Sequence, residues 1–436
     1  MAERVVITGL GIVCPLGHDV ETVWEAMLAG KSGLATTTIF DASTFPSTFC
    51  GEVKNYDFAK HTNNPELHMH GNRGTRFVIG AAVQACRQAG IDVETDQPRD
   101  NIERERLGIY LGAGEGSVKS DVFFGAIVKA WDADKNEMDW RKWTEVAQSG
   151  MEPMHELEQE PNMPAAHVAM LTGARGPTRS CLTACAASTQ AIGEATEMLR
   201  RGDADVMIAG GAHSMIHPLG VTGFNRLTAL STRNESPETA LRPFSASRDG
   251  FVIGEGAAIV VLESLSSAKK RGVEILAEVI GYGSSSDAFR VTDMHEEGRG
   301  AIAAIRLALA DAGIAPSEVD YISTHGTGTA ENDSIETKAI KAVFGENAGR
   351  IPASSVKSML GHLIGAAGVA ELITCVMAIR DNIVPPTINL DDPDPDLDLD
   401  YVPNEARPMQ VNIAVNESFG FGGQNNVVII KRHQGY

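Results

Sequence analysis

Short apolar runs alternate along the chain with longer segments rich in alanine and other helix-forming residues. Each run is bounded by polar residues or glycine, which is typical of buried β-strands. The clearest predicted strands are residues 107–111, 205–211, 319–322 and 411–416. Strands that alternate with helices predict mixed or parallel sheets covered by helices, so we expect an α/β protein.

The pattern also repeats within the chain. A predicted helix at 82–91 precedes the strand at 107–111, and a similar helix at 305–314 precedes the strand at 319–322. Two further helices, at 186–200 and 363–380, read as buried because they carry few charged residues. We therefore predict two related α/β halves, joined near residues 270–272. Residues 391–400 are acidic and contain two prolines, which predicts a surface loop.

Cys185 stands at the start of the predicted helix 186–200, after a loop-like stretch at 173–177. A cysteine in the first turn of a helix faces unpaired backbone N–H groups and the positive end of the helix dipole. Both features favour the thiolate, and the same N–H groups can hold an oxyanion. The alternative from position alone is a small buried thiol that packs as a core residue.

Two histidines occur in glycine-rich settings. His325 follows the strand at 319–322 and is trailed by Gly326 and Gly328, while His362 follows Gly361 just before the helix at 363–380. Strand ends and helix starts are the places where α/β folds present catalytic groups, and glycine lets backbone or substrate approach closely. Together with Cys185, the two histidines favour a catalytic site over a structural role.

Composition narrows the class of protein. The net charge of −20, from 37 basic and 57 acidic residues, argues against nucleic-acid binding. No apolar run reaches membrane-spanning length, and Glu3 and Arg4 precede the first strand, so we expect neither membrane insertion nor a signal peptide. The six cysteines show no metal-type pairs. We therefore expect a cytoplasmic enzyme with free thiols and no bound metal.

These segments resemble the β-ketoacyl-acyl-carrier-protein synthase family, the condensing enzymes of fatty acid and polyketide synthesis. The resemblance runs from residues 5–11, through 242–244 and 248–251, to 416–423, and is closest to the discrete, elongating type II enzymes. It implies a thiolase-like fold, with two duplicated α/β halves in a five-layer αβαβα arrangement. The corresponding domains would be residues 1–272, with the nucleophile, and residues 273–436, with both histidines.

The resemblance assigns a role to each matching residue. Cys185 would take the acyl group, while neutral His325 and His362 would stabilise the enolate formed when malonyl thioester loses carbon dioxide. The backbone N–H groups of Cys185 and Phe419 would form an oxyanion hole. The implied catalytic residues are Cys185, His325, His362 and Lys357; the supporting ones are Glu371, Asp333 and Glu336; the substrate-binding ones are Thr327, Thr329, Glu115 and Phe419.

The same resemblance implies partners. Acyl chains would arrive on the phosphopantetheine of an acyl carrier protein, no cofactor would be needed, and the enzyme would be a homodimer. Acyl carrier proteins are acidic, so docking on this acidic chain requires a local basic patch. Its candidates are Lys60, Arg73, Arg76 and Arg233.

Two departures from the family pattern affect the acyl pocket. Residues 119–165 are longer than is common and contain three tryptophans. Glu115 stands where elongating synthases usually place an aliphatic or small residue. A carboxylate is costly beside a fatty chain unless it is paired or turned away.

Other classes carry distinguishing features. A thiolase-type acyltransferase would have a second catalytic cysteine in the glycine-rich motif near the C-terminus, and residues 419–423 have none. A non-elongating partner or decarboxylase subunit of a specialised lipid or polyketide pathway would typically lack the nucleophile. We therefore predict 3-oxoacyl-[acyl-carrier-protein] synthase activity, with these two classes as the alternatives.

Overall fold

The computed structural model describes residues 3–114, 116 and 118–435. Ten strands form one mixed sheet: β1 Val5–Val13, β2 Leu107–Ala113, β3 Thr178–Cys181, β4 Val206–His213, β5 Gly256–Ser264, β6 Ala277–Ser286, β7 Tyr321–Ser323, β8 Ala353–Ser354, β9 Ile413–Gly420 and β10 Gln424–Lys431. Short two-stranded ribbons pair Ala35–Thr36 with Phe49–Cys50, Trp131–Asp132 with Glu137–Met138, and Ile383–Val384 with Arg407–Pro408.

The α-helices lie mainly between these strands. They are α1 Val20–Leu28, α2 Arg73–Gln88, α3 Ser120–Ala130, α4 Trp140–Gly150, α5 Pro153–Leu157, α6 Met163–Thr172, α7 Ala187–Arg201, α8 Pro218–Arg226, α9 Leu265–Arg271, α10 Arg299–Ala312, α11 Ala330–Phe344, α12 Lys357–Leu360 and α13 Ala367–Asp381. Residues 391–400 contain no helix and no strand of the main sheet, as the sequence predicted for a loop.

The order of the strands reveals a duplication. Across the sheet it is β8-β7-β9-β10-β6-β1-β5-β4-β2-β3. Each half contributes five consecutive strands, β1 to β5 and β6 to β10. From the edge of the sheet to its middle, both halves show the same order of their own strands: third, second, fourth, fifth and first. The outer strands of each half are parallel and the inner ones antiparallel. The halves meet where Val5–Ile7 pairs with Ala277–Val279.

Two helices form the layer between the half-sheets. Helix α7 packs on β2 and β4 of the first half and on β10 of the second, while α13 packs on β9 and β5 and on α7. Helix α2 covers the outer face of the first half, and α10 that of the second. The predicted five-layer, thiolase-like α/β fold is confirmed.

Helix α13 shows why a helix occupies the central layer. Every residue from Ala367 to Ile379 is buried, so the helix has no polar face to give to solvent. A helix that is apolar on all sides is stable only inside a protein. The one carboxylate within this buried stretch, Glu371, is 1% exposed and therefore needs a partner in the interior.

Residues 119–165 form an additional helical unit. Helices α3 and α4 pack against each other around the ribbon of Trp131–Asp132 and Glu137–Met138, and α5 leads into α6. Trp140 remains 69% exposed on this unit. The unit is tied to the loop that follows β2, because the N–H of Gly116 donates to the carbonyl oxygen of Gln159 (3.2 Å).

Two further observations concern the whole chain. Among the described residues, no helix combines the length and the apolar character needed to cross a bilayer. Helix α9 ends at Arg271, and the following Gly272, with a φ of 69°, allows the chain to turn toward β6. The division into domains at residue 272 stays a prediction.

Candidate active site

Cys185 lies at a sharp turn between β3 and α7. A 3₁₀ turn, Ala184–Ala186, connects the two, and Ala184 adopts a left-handed backbone with φ of 47°. The thiol is 7% exposed and lines a cavity of about 430 Å³. The sulfur and one ring nitrogen each of His325 and His362 lie within 4.8 Å of one another. The fold therefore brings the three predicted catalytic side chains together.

The resting state of the thiol is set mainly by burial. Burial raises the pKa of Cys185 to about 11, although the Lys357 charge and the backbone N–H of Phe421 lower it. The sequence predicted that the helix start favours the thiolate; backbone N–H groups do act in that direction, but burial outweighs them. Cys185 is a thiol at neutral pH, and its proton must leave when the sulfur reacts.

The loop that carries His325 is fixed by two buried carboxylates on α11. Glu336 accepts hydrogen bonds from the backbone N–H groups of His325 (2.5 Å) and Gly326 (2.7 Å). Asp333 accepts from Thr327 (3.1 Å) and Gly328 (3.2 Å). A hydrogen bond to a charged acceptor contributes about 1.5–3 kcal/mol, so these contacts determine the loop's shape.

Burial also changes the titration of these carboxylates. It raises the pKa of Asp333 and raises that of Glu336 to about 7, while the backbone hydrogen bonds act in the opposite direction. Glu417, on β9, is fully buried near Glu336, and burial and that neighbour raise its pKa well above the usual range. No pattern in the sequence pointed to Glu417 as a member of the site, because it meets Glu336 only through the fold.

Lys357 links the His325 loop to Glu371 on the buried helix α13. Its ammonium donates to Nδ1 of His325 (3.3 Å) and to the carbonyl oxygen of His325 (2.5 Å), and it forms a buried ion pair with Glu371. Because Lys357 occupies Nδ1 as a donor, the proton of the neutral ring must sit on Nε2. Burial, then the Lys357 charge, lowers the pKa of His325 well below its usual value.

His362 reaches the same tautomer by a different contact. The backbone N–H of Ile364 donates to Nδ1 of His362 (3.2 Å), which leaves the proton on Nε2. Burial, followed by the charges of Lys357 and His213, lowers its pKa well below the usual value. Within the described part of the chain, the buried Nε2 has no hydrogen-bond partner. It is a donor available to a molecule in the cavity.

Aromatic rings close the cavity around the histidines. The His325 and His362 rings meet edge to face at 5.4 Å; the Phe251 ring packs on His362 and the Phe419 ring on His325. Phe251 lines the cavity, a role that its place in the 248–251 motif did not by itself predict. Its signal was the run 248–251, which carries an aromatic residue directly after Gly250.

The segment after Phe419 lies against the nucleophile. A methyl group on Gly420 would come within 2.9 Å of the carbonyl oxygen of Thr183 and 3.4 Å of the backbone nitrogen of Cys185. Residues 419–421 all line the cavity. Thr327 and Thr329 lie on the same wall, and their hydroxyls share a hydrogen bond of 2.9 Å.

The predicted pocket residue Glu115 and the four predicted docking residues are not part of this cavity wall as the structure describes it. Glu115 lies outside the described residues. Of the four docking candidates, Arg73 forms an ion pair with buried Glu255, and Arg233 contacts Asp249 and the carbonyl oxygen of Ser247. Lys60 is exposed, whereas Arg76 lies over the Phe58 ring and donates to the Met69 carbonyl oxygen (2.8 Å).

Comparison with known proteins agrees with this geometry. The sequence-family model of the beta-ketoacyl synthase N-terminal domain matches residues 2–268, and the family model of the C-terminal domain matches residues 276–391. The chain belongs to the beta-ketoacyl synthase family. It is an acyltransferase that catalyses carbon–carbon bond formation between acyl thioesters.

Full-length relatives support the same assignment. The chain is 43% identical to a 3-oxoacyl-[acyl-carrier-protein] synthase 2 of Coxiella burnetii, over 99% of each chain. It is 41% identical to the enzyme of the same name from Staphylococcus aureus, again over 99% of each. Among solved structures, a type II polyketide ketosynthase in complex with its acyl carrier protein matches with a TM-score of 0.86 and 34% identity, covering 99% of this chain and 100% of that one.

Proposed function

We propose that this chain elongates acyl chains by decarboxylative condensation with malonyl-acyl carrier protein, with Cys185 as nucleophile and His325 and His362 as enolate-stabilising donors. One observation carries the proposal. Both imidazoles are held neutral with the proton on Nε2, beside a buried thiol in one cavity. Neutral donors next to a nucleophile suit a reaction that develops negative charge on a thioester oxygen.

In the first half-reaction, the sulfur of Cys185 attacks an acyl thioester. The new carbon–sulfur bond forms as the old one breaks, and the thiol proton passes to the departing pantetheine thiolate. Lys357 and the N–H of Phe421 favour the charge that develops on sulfur, because both lower the pKa of Cys185. The backbone N–H groups of Cys185 and Phe419 would hold the oxyanion of the tetrahedral intermediate.

In the second half-reaction, malonyl thioester loses carbon dioxide and leaves an enolate. The enolate oxygen would accept hydrogen bonds from the Nε2–H groups of His325 and His362. The enolate carbon then attacks the acyl carbonyl on Cys185. Collapse of the intermediate breaks its carbon–sulfur bond and releases the Cys185 thiolate, which takes up a proton from water to return to the thiol. Thr327 and Thr329 would hydrogen-bond the pantetheine arm from the wall where they lie.

The chemistry of the described cavity argues against the alternatives. A thiolase needs a second cysteine at the reacting centre, and Cys185 is the one cysteine among the described residues that line this cavity. A non-elongating partner or decarboxylase subunit would typically lack the nucleophile, whereas Cys185 lines this cavity. The names of the full-length relatives favour fatty acid elongation.

The proposal needs no metal or organic cofactor at this site. The Lys357 ammonium contacts His325 and lowers the pKa of both histidines, so the local potential opposes a bound cation. The carrier partner would be an acyl carrier protein, as in the related ketosynthase complex. A cytoplasmic location suits the chain, because the described cysteines are free thiols that a reducing compartment preserves.

We also propose a homodimer that forms through β3. This strand ends one edge of the sheet, and its first residues are exposed. Met170 on α6 and Leu182 flank it with exposures of 52% and 49%. A second copy would cover this edge and its apolar flanks. Light scattering should give twice 46.4 kDa, and Leu182→Arg should shift the mass toward 46.4 kDa; a wild-type monomer would refute the dimer.

One experiment tests the central proposal. The protein is mixed with acyl-acyl carrier protein, and its intact mass is measured before and after malonyl-acyl carrier protein is added. We expect one added acyl group on the peptide that contains Cys185, followed by its transfer to a 3-oxoacyl product. Acylation that persists in Cys185→Ala, or no product after malonyl-acyl carrier protein, would contradict the proposal.

A further inference from the structure

A second histidine cluster lies outside the catalytic cavity, where the 119–165 unit meets the loop before α2. It consists of His70, Glu152 and His155, and one ligand atom of each lies within 4.8 Å of the other two. Glu152 precedes the first residue of α5 without a side-chain capping bond, and His155 follows three residues later, so the two side chains project to one side. His70 comes from the loop after the 3₁₀ helix Pro65–His68.

The distances within this cluster suit a tetrahedral metal ion. Two ligands about 2.1 Å from a tetrahedral zinc ion lie about 3.4 Å apart. The Nε2 of His155 and Oε2 of Glu152 are 3.3 Å apart. The His70 and His155 rings are nearly perpendicular, at 81°, with centroids 5.3 Å apart. This arrangement allows a nitrogen of each ring to face a common centre without ring stacking.

The neighbouring groups leave one oxygen of Glu152 and the histidine nitrogens accessible to a cation. The other oxygen of Glu152 faces Lys119 at 3.6 Å, an arrangement that leaves Oε2 for a metal. The side chains of His155 and Glu152 are 30% and 55% exposed, so an ion and a water ligand can reach them. Two imidazoles with one carboxylate favour a borderline metal such as zinc over magnesium or calcium.

A buried chain of hydrogen bonds fixes the two backbones that carry the cluster. His167 contacts Glu158, which ends α5, through Nε2 (2.8 Å), and contacts His68 through Nδ1 (2.8 Å). Asn72 adds a bond from its side-chain amide to the Glu158 carbonyl oxygen (3.0 Å). The two pieces of chain therefore meet in one arrangement before any ion binds, which reduces the conformational entropy lost on binding.

We propose that His70, Glu152 and His155 bind one zinc ion, which fastens the 119–165 unit to the loop before α2. The catalytic cavity holds another Cys-His-His group, so the test uses Cys185→Ala as its background. Calorimetry with zinc chloride on the full-length, chelator-treated protein should show one ion per chain. His70→Ala and His155→Ala should each weaken binding more than about tenfold.

Two controls complete the experiment. His433→Ala removes a histidine at the far end of β10 and should leave zinc affinity unchanged. Magnesium chloride should give no binding heat at this site. Zinc should raise the melting temperature of the Cys185→Ala protein but not of its His155→Ala derivative. If the His70→Ala and His155→Ala proteins bind zinc as tightly as the Cys185→Ala parent, or if the parent binds none, the proposal is overturned and His155 and Glu152 form a simple ion pair.

Discussion

Ala184 and Ile364 adopt the same left-handed backbone, with φ of 47° and 48°, at equivalent points of the two halves. Each is the first residue of a 3₁₀ turn. The turn at Ala184 leads into α7, and the turn at Ile364 leads into α13. The next residue is Cys185 in one half and Gly365 in the other, and the N–H of Gly365 donates to Nδ1 of His213 (3.3 Å). The fold supplies the turn twice, and one side chain makes it a nucleophile.

This relationship predicts the response of the turn to substitution. A left-handed conformation costs a non-glycine residue about 1–2 kcal/mol. Ala184→Gly should therefore fold at least as stably as the wild type and keep Cys185 reactive. Ala184→Val adds a β-branched side chain in that conformation and should lower the melting temperature and slow acylation. Ala133→Val, at an exposed position, is the control. Equal acylation rates in all three variants would show that the turn does not position the sulfur.

The two half-reactions should separate when either histidine is removed. His325→Ala or His362→Ala deletes one Nε2–H donor and leaves Cys185 in place. Loss of an oxyanion donor typically costs about 100- to 1000-fold in rate. Release of carbon dioxide from malonyl-acyl carrier protein should fall by that factor, while acylation of Cys185 persists. A variant that releases carbon dioxide at the wild-type rate would have lost only a structural histidine.

Lys357 should control the acid limb of the pH profile. Its charge lowers the pKa of His325 and His362, so both rings stay neutral as the pH falls. In Lys357→Met their pKa values should rise, and decarboxylation should decline at a higher pH than in the wild type. The variant also leaves Glu371 unpaired, so Lys357→Met with Glu371→Gln provides the comparison for stability. Identical acid limbs in wild type and both variants would exclude the electrostatic role.

Much of the architecture was predictable because it follows from local patterns of apolar and polar residues. The repeat of helix 82–91 and helix 305–314 predicted the duplicated halves, and the apolar run after His362 predicted a buried α13. The protonation state of Cys185 was not predictable, because it depends on how completely the fold excludes water. The approach of Glu417 to Glu336 depends on where the fold places two segments that are distant in sequence, and no local pattern encodes that contact.

Glu417 should make stability fall as the pH rises. Its pKa in the folded protein lies well above the usual 4.5, so over that interval the native state binds more protons than the unfolded chain. The free energy of unfolding therefore decreases with pH from about 4.5 upward. Glu417→Gln should reduce this dependence, because Glu336 and Asp333 keep raised pKa values, and should stabilise the protein at pH 8 by about 1–2 kcal/mol. Urea unfolding at pH 5 and pH 8 measures the effect, with exposed Glu405→Gln as control; parallel shifts in both variants would contradict it.

Gly420 should be essential because of where its missing side chain would lie. A methyl group there would come within 2.9 Å of the Thr183 carbonyl oxygen and 3.4 Å of the Cys185 backbone nitrogen. Backbone atoms cannot rotate away as side-chain ends do, so Gly420→Ala must displace the Cys185 turn or the 419–421 segment. Either movement separates the sulfur from the donors that would hold the oxyanion, and a misplacement of about 1 Å can cost about 100-fold in rate.

The matched control is Gly349→Ala, since a methyl group at Gly349 meets no atom within 4 Å. We expect the Gly349 variant to match the wild type in acylation and condensation rates. The Gly420 variant should lose most of its acylation rate while circular dichroism shows that the fold is retained. If Gly420→Ala acylates Cys185 at the wild-type rate, the 419–421 segment does not set the position of the nucleophile, and Phe419 would lose its proposed role in the oxyanion hole.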